Sequence, residues 1–277
     1  MNIEAWLAGR EVRGALGPQA ERVVQVLARA PQFASYSSAR EVAERAGVNV
    51  STVVRAAQQL GFEGWPQLRE ELRALYLASV SSGDVTPGPA TDPAAQTLRQ
   101  DVTNITALAT PDNVAAIRAT AQAIKAARRI LVISSGSGAG PAHILSYLGT
   151  IAGHDIRLAL GSSTTQAVHV ARLEEGDCLI TLNVWRLTRT LRGLTRLARE
   201  RGATVSVLTD LRASPLAEDA DHLIVTPIEG VHAGPSLTAM VAAVQAILSE
   251  LSDEDAIRSS GEIQQMWQDL DLMDDQP

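Results

Sequence analysis

Residues 38–55 read SAREVAERAGVNVSTVVR. Ser38 followed three residues later by Glu41 is the pattern of a capping box, so we predict that a helix begins at Ser38. Gly47 can adopt the positive φ that ends this helix, and Asn49 is a good N-cap for the next one. A short helix, a glycine turn and a second helix at this spacing are typical of a helix-turn-helix.

The second helix of this motif is predicted to have one buried face and one exposed polar face. The buried face consists of Val53, Val54, Ala57 and Leu60, and Gly61 ends the helix. The polar face carries hydroxyl, guanidinium and amide groups, which hydrogen-bond to base edges in the major groove and to phosphates. The candidate DNA-binding residues are Ser38, Asn49, Ser51, Thr52, Arg55, Gln58 and Gln59. An ordinary helical hairpin with a solvated polar face is the alternative interpretation.

A longer stretch around this motif carries a family resemblance. Residues 38–72, with TVVR at 52–55 and LGFEGWPQL at 60–68, resemble the N-terminal domain of RpiR-type regulators. Those proteins pair this domain with a sugar isomerase (SIS) domain. The resemblance therefore implies a transcriptional regulator whose partner is a double-stranded DNA operator. Phe62 and Trp65, within the quoted run, are predicted to close a core.

The distribution of charge bears on whether DNA is a plausible partner. The chain has 277 residues and a net charge of −7, which taken as a whole argues against nucleic-acid binding. Residues 1–77 carry nine Arg and eight acidic residues, whereas residues 249–277 carry one Arg and nine acidic residues. Because local charge governs binding, the acidic tail does not exclude DNA binding by the N-terminal part. The nearly neutral N-terminal part predicts weak non-specific affinity.

Composition changes once along the chain. Residues 81–93, SSGDVTPGPATDP, contain three Pro and two Gly and are predicted to be a linker. Segments before it have helical patterns, whereas apolar, β-branched runs alternate with helical stretches after it. We predict an all-α helix-turn-helix domain followed by a three-layer α/β SIS domain with a parallel sheet. The predicted divisions are 1–80 for the helix-turn-helix domain, 81–93 for the linker, 94–252 for the SIS domain and 253–277 for an acidic tail with a short helix.

The loop after the first predicted strand, residues 134–141, is rich in glycine and serine. Such a loop brings backbone N–H groups to an anion at a helix N-terminus, or it is only a tight turn. In its placement the loop resembles the first ligand loop of SIS domains, and the run at 214–221 is a marker of that family. SIS domains commonly bind phosphosugars through hydroxyls on two loops. The resemblance therefore implies a small-molecule effector such as a sugar phosphate or a related carbohydrate metabolite.

The sequence departs from the SIS pattern in both ligand loops. The first loop usually ends in serine, where this chain has Gly140, and residues 183–190 replace the usual Ser-x-Ser-Gly-Glu-Thr. An arginine can replace hydroxyls as a phosphate ligand, and a tryptophan can stack on a sugar. The candidate ligand-binding residues are Ser135, Gly136, Ser137, Gly138, Gly140, Asn183, Trp185, Arg186, Thr188 and Thr190, with further hydroxyls at Ser134 and residues 162–165. Alternatively, the arginines after residue 185 form a solvated helical face, and Trp185 is a packing or dimer residue.

Two other functions stay open at this point. A phosphosugar isomerase needs a base beside the substrate, for which Glu175, Glu229 and His232 are the candidates. A SIS domain that only dimerises would instead give a regulator that senses no small molecule. We predict a regulator rather than an enzyme. We predict no cofactor, since the glycine-rich loop lacks the spacing and the acidic follower of a dinucleotide site. We predict no metal, because the histidines show no metal-like pairing.

The C-terminal part predicts a docking helix. Ile263, Met266, Trp267 and Leu270 fall on one helical face, which would pack on the same domain or on a partner subunit. A homodimer or homotetramer is expected, because each helix-turn-helix covers only half of a palindromic site. The single cysteine, Cys178, excludes an intrachain disulfide, and no apolar run is long enough to cross a membrane. We therefore expect a cytoplasmic protein without a membrane partner.

Overall fold

The computed structural model describes residues 6, 7, 16–82, 92–212, 214–231 and 234–274. The chain divides into two units, Met1–Gln100 with Glu229–Gly234, and Asp101–Ile228 with Pro235–Pro277. The predicted linker lies mostly outside the described residues. Its first two residues belong to a helix that ends at Ser82, and its last begins the helix Pro93–Leu108. The linker and the predicted domain boundaries therefore stay predictions.

The described part of the first unit consists of helices and the turns between them, as the sequence predicts. Its helices are α1 (Pro18–Arg29), α2 (Pro31–Tyr36), α3 (Ala39–Ala46), α4 (Val50–Gln59) and α5 (Trp65–Ser82). Pro18 and Pro31 stand at the first positions of α1 and α2, where a helix needs no N–H donor. The helices enclose one core that includes Val23, Leu27, Val42, Val53, Leu60, Leu68 and Leu72. Phe62 and Trp65 belong to this core, as predicted, with exposures of 8% and 3%.

The second unit contains a five-stranded sheet in which every pairing is parallel. The strands are β1 (Ile130–Ser134), β2 (Ile156–Ala159), β3 (Cys178–Asn183), β4 (Thr204–Thr209) and β5 (His222–Val225), in the order β2-β1-β3-β4-β5. In register, Ile130 faces Ile156 on one side and Cys178 on the other. The predicted α/β fold with a parallel sheet is thus confirmed. The short edge strand β2 is an addition that the sequence patterns did not indicate.

Helices connect these strands and continue the chain before and after them. They are α6 (Pro93–Leu108), α7 (Pro111–Ala126), α8 (Ala139–Ile151), α9 (Ser163–Val170), α10 (Arg189–Glu200), α11 (Thr238–Leu251) and α12 (Glu254–Asp269). The helix α6 begins in the first unit and ends in the second. Because all strands are parallel, their carboxyl ends lie at one edge of the sheet, and the loops into α8, α9 and α10 start there. The strand β1 has β2 on one side and β3 on the other, so the winding reverses at β1. In open α/β sheets, ligands bind in the crevice at such a reversal.

The central strands are buried on both faces, as expected for a sheet covered by helices. Every residue of β1 and of β3 is buried. Cys178 begins β3 and is a free thiol. Its burial raises the pKa of the thiol to about 12, so Cys178 stays protonated at neutral pH and has no nucleophilic character.

The predicted C-terminal helix forms, and within this chain its predicted apolar face is only partly covered. In α12, Ile263 and Trp267 are half-buried, whereas Met266 and Leu270 are 50% and 60% exposed. The side-chain hydrogen bonds that join α12 to α8 come from the second turn of α12. There the hydroxyls of Ser259 and Ser260 donate to the Ile151 carbonyl at 3.0 and 3.4 Å. Hydrogen bonds from the second turn of α12 therefore hold it against the end of α8, and docking of the exposed Met266 and Leu270 on a partner subunit stays a prediction.

Two absences hold for the described residues. None of their helices combines the length and the apolar character needed to span a bilayer. Among the same residues, no cluster of three or more His, Cys, Asp or Glu side chains has the arrangement of a metal site.

Candidate functional site

The helix-turn-helix geometry follows the capping signals in the sequence. The Ser38 hydroxyl accepts a hydrogen bond from the Glu41 amide at 3.2 Å, and the Ser38 amide donates to Glu41 Oε2 at 2.6 Å. Gly47 ends α3 in the left-handed conformation, with φ of 64°. Asn49 occupies the N-cap position of α4 as predicted, but its side chain makes no capping hydrogen bond. The predicted capping box and glycine turn are confirmed, and α4 follows as the second helix of the motif.

Three of the candidate DNA-binding side chains project from α4 into solvent. Ser51, Arg55 and Gln58 are exposed, and Gln59 is half-buried. The Arg55 Nε donates to the Ser51 carbonyl at 3.3 Å, which holds the guanidinium beside the first turn of α4. N-terminal residues of a recognition helix reach the bases first, so this placement suits contact with DNA. Gln58 Nε2 donates to the Glu63 carbonyl at 3.4 Å and therefore leans towards the end of the helix.

Thr52 does not belong to the exposed face on which it was predicted. It is 5% exposed, and its hydroxyl donates to Gln19 Oε1 at 3.4 Å. Thr52 therefore packs α4 against α1, and we withdraw it as a base-reading residue. The sequence pattern could not show this, because the burial of Thr52 depends on α1, which lies more than twenty residues earlier in the chain.

At the carboxyl edge of the sheet, the loop after β1 approaches β3 closely. Gly136 adopts a φ of 59°, and residues Gly136–Gly138 form a 3-10 turn that leads directly into α8. A Cβ atom on Gly138 would lie 2.5 Å from Ser134 Oγ and 3.2 Å from the Leu182 carbonyl oxygen. Ser134 Oγ itself donates to that carbonyl at 2.8 Å, so it cannot move aside without losing its partner. Only glycine therefore fits at position 138. Because α8 begins at this close contact, the backbone N–H groups of its first turn lie at the crevice.

Gly138 and Gly140 offer a matched pair for testing this close approach. Gly138→Ala is expected to lower the free energy of unfolding of the SIS domain by about 1–2 kcal/mol, because the new methyl group overpacks the β1–β3 contact. Gly140→Ala is expected to change it by less than about 0.5 kcal/mol, because a Cβ at Gly140 meets no atom within 4 Å. Urea unfolding of both full-length variants measures the difference. Equal effects of the two substitutions would contradict the steric argument.

Hydroxyl groups from two further loops meet at the same edge. Ser162 caps α9 by accepting from the Thr165 amide at 3.2 Å, and Thr188 caps α10 by accepting from the Leu191 amide at 3.1 Å. Ser163 Oγ and Thr190 Oγ1, one from each helix, lie 3.1 Å apart. The candidate residues Thr188 and Thr190 thus lie with the serine and threonine run that begins at residue 162. The helices α8, α9 and α10 all begin at this edge.

The segment after β3 contains an unusual backbone. Asn183, the last residue of β3, is 1% exposed, and its Oδ1 is buried with no hydrogen-bond partner among the described residues. Two residues later, Trp185 has a φ of 70°, in the left-handed region that bulky side chains rarely adopt. The Arg186 amide donates to the Val184 carbonyl at 2.9 Å. This bond closes a γ-turn of the rare positive-φ type with Trp185 at its centre. The Arg186 guanidinium lies 5.6 Å from the Trp185 ring centroid.

The arginines that follow this segment divide into two groups. Arg192 and Arg196 face Glu218, at 3.9 and 3.7 Å, and Arg196 also faces Asp219 at 3.5 Å. These two therefore lie on the solvated helical face that the sequence left as an alternative, where they are ion-paired. Arg186 lies before α10, in the loop at the carboxyl edge, and stays a candidate ligand residue.

Two polar residues at this edge were missed by the sequence reasoning. Gln166 is 5% exposed, and its Nε2 donates to the Ser134 carbonyl at 3.1 Å, which ties α9 to the loop after β1. Thr226 follows β5 and is fully buried, and its Oγ1 has no hydrogen-bond partner among the described residues. Neither residue lies in a motif, and only the sheet topology brings them to the same edge as the loops.

Of the candidate catalytic bases, the structure describes Glu175 and Glu229. Glu175 lies in the turn before β3, at the amino edge of the sheet, opposite the glycine-rich loop. Glu229 follows β5 in the chain and belongs to the first unit, and His232 lies outside the described residues. The position of Glu175 removes it as the base of an isomerase acting in the crevice.

Comparison with known families identifies both units. A helix-turn-helix domain of the rpiR family matches residues 12–79, and a SIS domain matches residues 123–250. An uncharacterised HTH-type transcriptional regulator of Haemophilus influenzae is 25% identical over 215 residues, which cover 74% of this chain and 73% of that protein. The HTH-type transcriptional regulator RpiR of Escherichia coli is 26% identical over 218 residues, covering 74% of this chain and 70% of RpiR.

Solved structures show the same architecture. The sugar isomerase domain of an RpiR transcription factor from Sphaerobacter thermophilus has 28% identity and a TM-score of 0.59, covering 62% of this chain and 97% of that domain. The NanR protein of Vibrio vulnificus, in a complex with ManNAc-6P, has 17% identity and a TM-score of 0.66, covering 99% of this chain and all of NanR. The relatives are named regulators, which supports the prediction of a regulator rather than an enzyme. With an rpiR-type helix-turn-helix domain followed by a SIS domain, the chain belongs to the RpiR-type family of DNA-binding transcriptional regulators.

Proposed function

We propose that this regulator binds a palindromic operator as a homodimer or homotetramer, and that its SIS domain binds an anionic carbohydrate derivative that alters operator binding. The DNA contacts are assigned to Ser51 and Arg55 at the start of α4, with Gln58, Gln59, Asn49 and Ser38 around them. Such a regulator acts where its operator is, in the cytoplasm. One helix-turn-helix reads a half-site, so two copies are needed for a palindrome.

The observation that carries the effector proposal is the convergence of three helix N-termini with their hydroxyl groups at one edge of the sheet. The first turns of α8, α9 and α10 supply backbone N–H groups, which favour an anion. Ser135 and Ser137 in the first loop, and Thr188 and Thr190 in the third, supply hydroxyls beside them. NanR of Vibrio vulnificus shares this fold and is in a complex with ManNAc-6P. At 17% identity this likeness concerns the fold, so the proposal rests on the residues of this chain.

Gly140→Ser tests the site by restoring the serine that SIS loops usually have. A Cβ at Gly140 meets nothing within 4 Å, so the backbone and its neighbours need not move to accept a side chain there. An added hydroxyl that donates to a phosphate is expected to tighten binding about tenfold. Calorimetric titration of the wild type and the variant with ManNAc-6P, other hexose and pentose phosphates, the unphosphorylated sugars and inorganic phosphate measures this effect.

Gel-shift titration of the operator with the same panel of ligands separates the alternatives. Operator release by an unphosphorylated sugar, with no response to any phosphate, would contradict an anionic effector. Operator binding that no member of the panel changes favours a SIS domain that only dimerises. A ligand changes operator binding only if it has different affinities for two states of the protein, so gel-shift titration with and without ligand is the deciding measurement.

A further inference from the structure

We propose that Asn183 recognises the effector directly: its amide oxygen accepts a hydrogen bond from a sugar hydroxyl or an amide N–H, and the γ-turn at Trp185 moves when this bond forms. The inference rests on the proposed function. It adds that the effector presents a neutral donor group at the end of β3, separate from any anionic group at the N-terminus of α8. Two independent observations support it.

The first observation is the unsatisfied amide oxygen. A buried polar atom without a partner destabilises the folded state, so such atoms are rare outside sites that use them. Within the described part of the chain, Asn183 Oδ1 is a buried atom without a hydrogen-bond partner. A second buried asparagine in the same unit shows the usual arrangement. Asn113, 4% exposed, donates to the Leu108 and Val225 carbonyls at 2.8 and 2.9 Å, and its Oδ1 accepts from the Val225 amide at 2.9 Å.

The second observation is the strained turn that begins next to Asn183. A positive φ at a residue as large as tryptophan is unfavourable and persists only where the surroundings impose it. Strain of this kind concentrates at ligand sites and switch regions. A change of φ at Trp185 would shift the backbone that follows Asn183 directly. The strained residue, Trp185, and the unsatisfied oxygen of Asn183 therefore lie two residues apart, where the chain leaves β3 at the crevice. A single movement of this turn would relieve the strain and let the oxygen find a donor.

The chemical class of the contact follows from the atom. An amide oxygen accepts hydrogen bonds and repels a phosphate, whose oxygens are acceptors too. The Nδ2 of Asn183 can still donate, so it is the unsatisfied Oδ1 that calls for a donor group on the effector, at the place where SIS domains usually have a serine hydroxyl. Sugar hydroxyls and the N–H of an acylated amino sugar are such donors. Trp185 offers an apolar ring face to the carbon face of a pyranose or furanose.

Asn183→Leu, which keeps the shape of the side chain and removes its polar atoms, tests this in the full-length protein. We expect the unliganded variant to melt about 2–4 °C higher than wild type, because an unsatisfied oxygen is removed. We also expect it to bind the tightest sugar ligand of the panel at least about tenfold more weakly. Asn113→Leu is the matched control. It removes three hydrogen bonds and is expected to lower the melting temperature, because a structural asparagine is lost.

Hydrogen exchange measures the movement of the turn. Peptides that cover residues 183–190 are expected to change their exchange when the tightest ligand is added to wild type, because the Arg186 amide leaves its bond to Val184. A fall in melting temperature for Asn183→Leu like that for Asn113→Leu overturns the inference. Unchanged affinity, or exchange over 183–190 that ignores the ligand, also overturns it while leaving the proposed function intact. If no sugar or sugar phosphate binds to wild type, both the proposed function and this inference fail.

Discussion

Trp65→Ala is expected to lower the free energy of unfolding of the helix-turn-helix domain by about 3–5 kcal/mol. Trp65 is 3% exposed at the start of α5 and belongs to the core of the first unit. Its indole Nε1 donates to the Ser37 carbonyl at 3.1 Å, immediately before the capping residue of α3. The substitution leaves a cavity and an unsatisfied carbonyl next to the helix-turn-helix. Because small domains have only about 5–15 kcal/mol of stability, most of the margin is lost.

Calorimetric unfolding of the full-length variant measures this effect, and the melting of the SIS domain serves as an internal reference. Trp65→Phe is the control: it keeps an aromatic ring in the core and loses the indole donor, so a smaller loss of about 1–3 kcal/mol is expected. Operator affinity should fall in the same order, because only the folded domain binds DNA. An alanine variant whose helix-turn-helix domain melts like wild type would show that Trp65 does not support the fold in this way.

Local signals were sufficient for much of the N-terminal unit. The capping box at Ser38 and the left-handed Gly47 depend on residues within one or two turns, so the sequence determines them directly. Thr52 was assigned to the wrong face because its environment is made by Gln19 on α1. A helical period shows which residues lie together on a face, and only tertiary packing decides which faces are covered.

The same division applies to the SIS domain. Apolar, β-branched runs predicted the parallel sheet, whereas β2 has only the residues Ile156–Ala159, includes the exposed Arg157 and pairs on one side only. An edge strand of this length gives no clear apolar signal. The candidate loops were found from glycine, serine and family resemblance. The positive φ at Trp185 and the unpartnered Oδ1 of Asn183 could not be predicted, because nothing local favours either condition.

Among the candidate DNA-binding residues, Arg55 is the one whose loss is expected to weaken operator binding most. It is exposed on α4, one turn after Ser51, and carries the only guanidinium of that helix. Arginine donates two parallel hydrogen bonds to guanine or binds phosphate through its charge. Arg55→Ala is expected to weaken operator binding by about 1–3 kcal/mol, which corresponds to roughly 5- to 150-fold. Gel-shift titration measures this with a duplex that wild-type protein has selected from random sequence.

Arg55→Lys separates the two modes of contact. Lysine keeps the charge but cannot form the paired hydrogen bonds, so it should restore binding if Arg55 contacts phosphate and fail to restore it if Arg55 reads a base. The salt dependence gives an independent answer. Loss of a phosphate contact lowers the slope of log K against log salt by about one, whereas loss of a base contact leaves the slope unchanged and relaxes specificity at one position.

Arg118→Ala, in the SIS domain, removes the same charge from an exposed arginine paired with Glu250 and should leave operator affinity unchanged. If Arg55→Ala binds the operator as tightly as Arg118→Ala does, Arg55 lies outside the interface and the exposed start of α4 is not the surface that reads DNA.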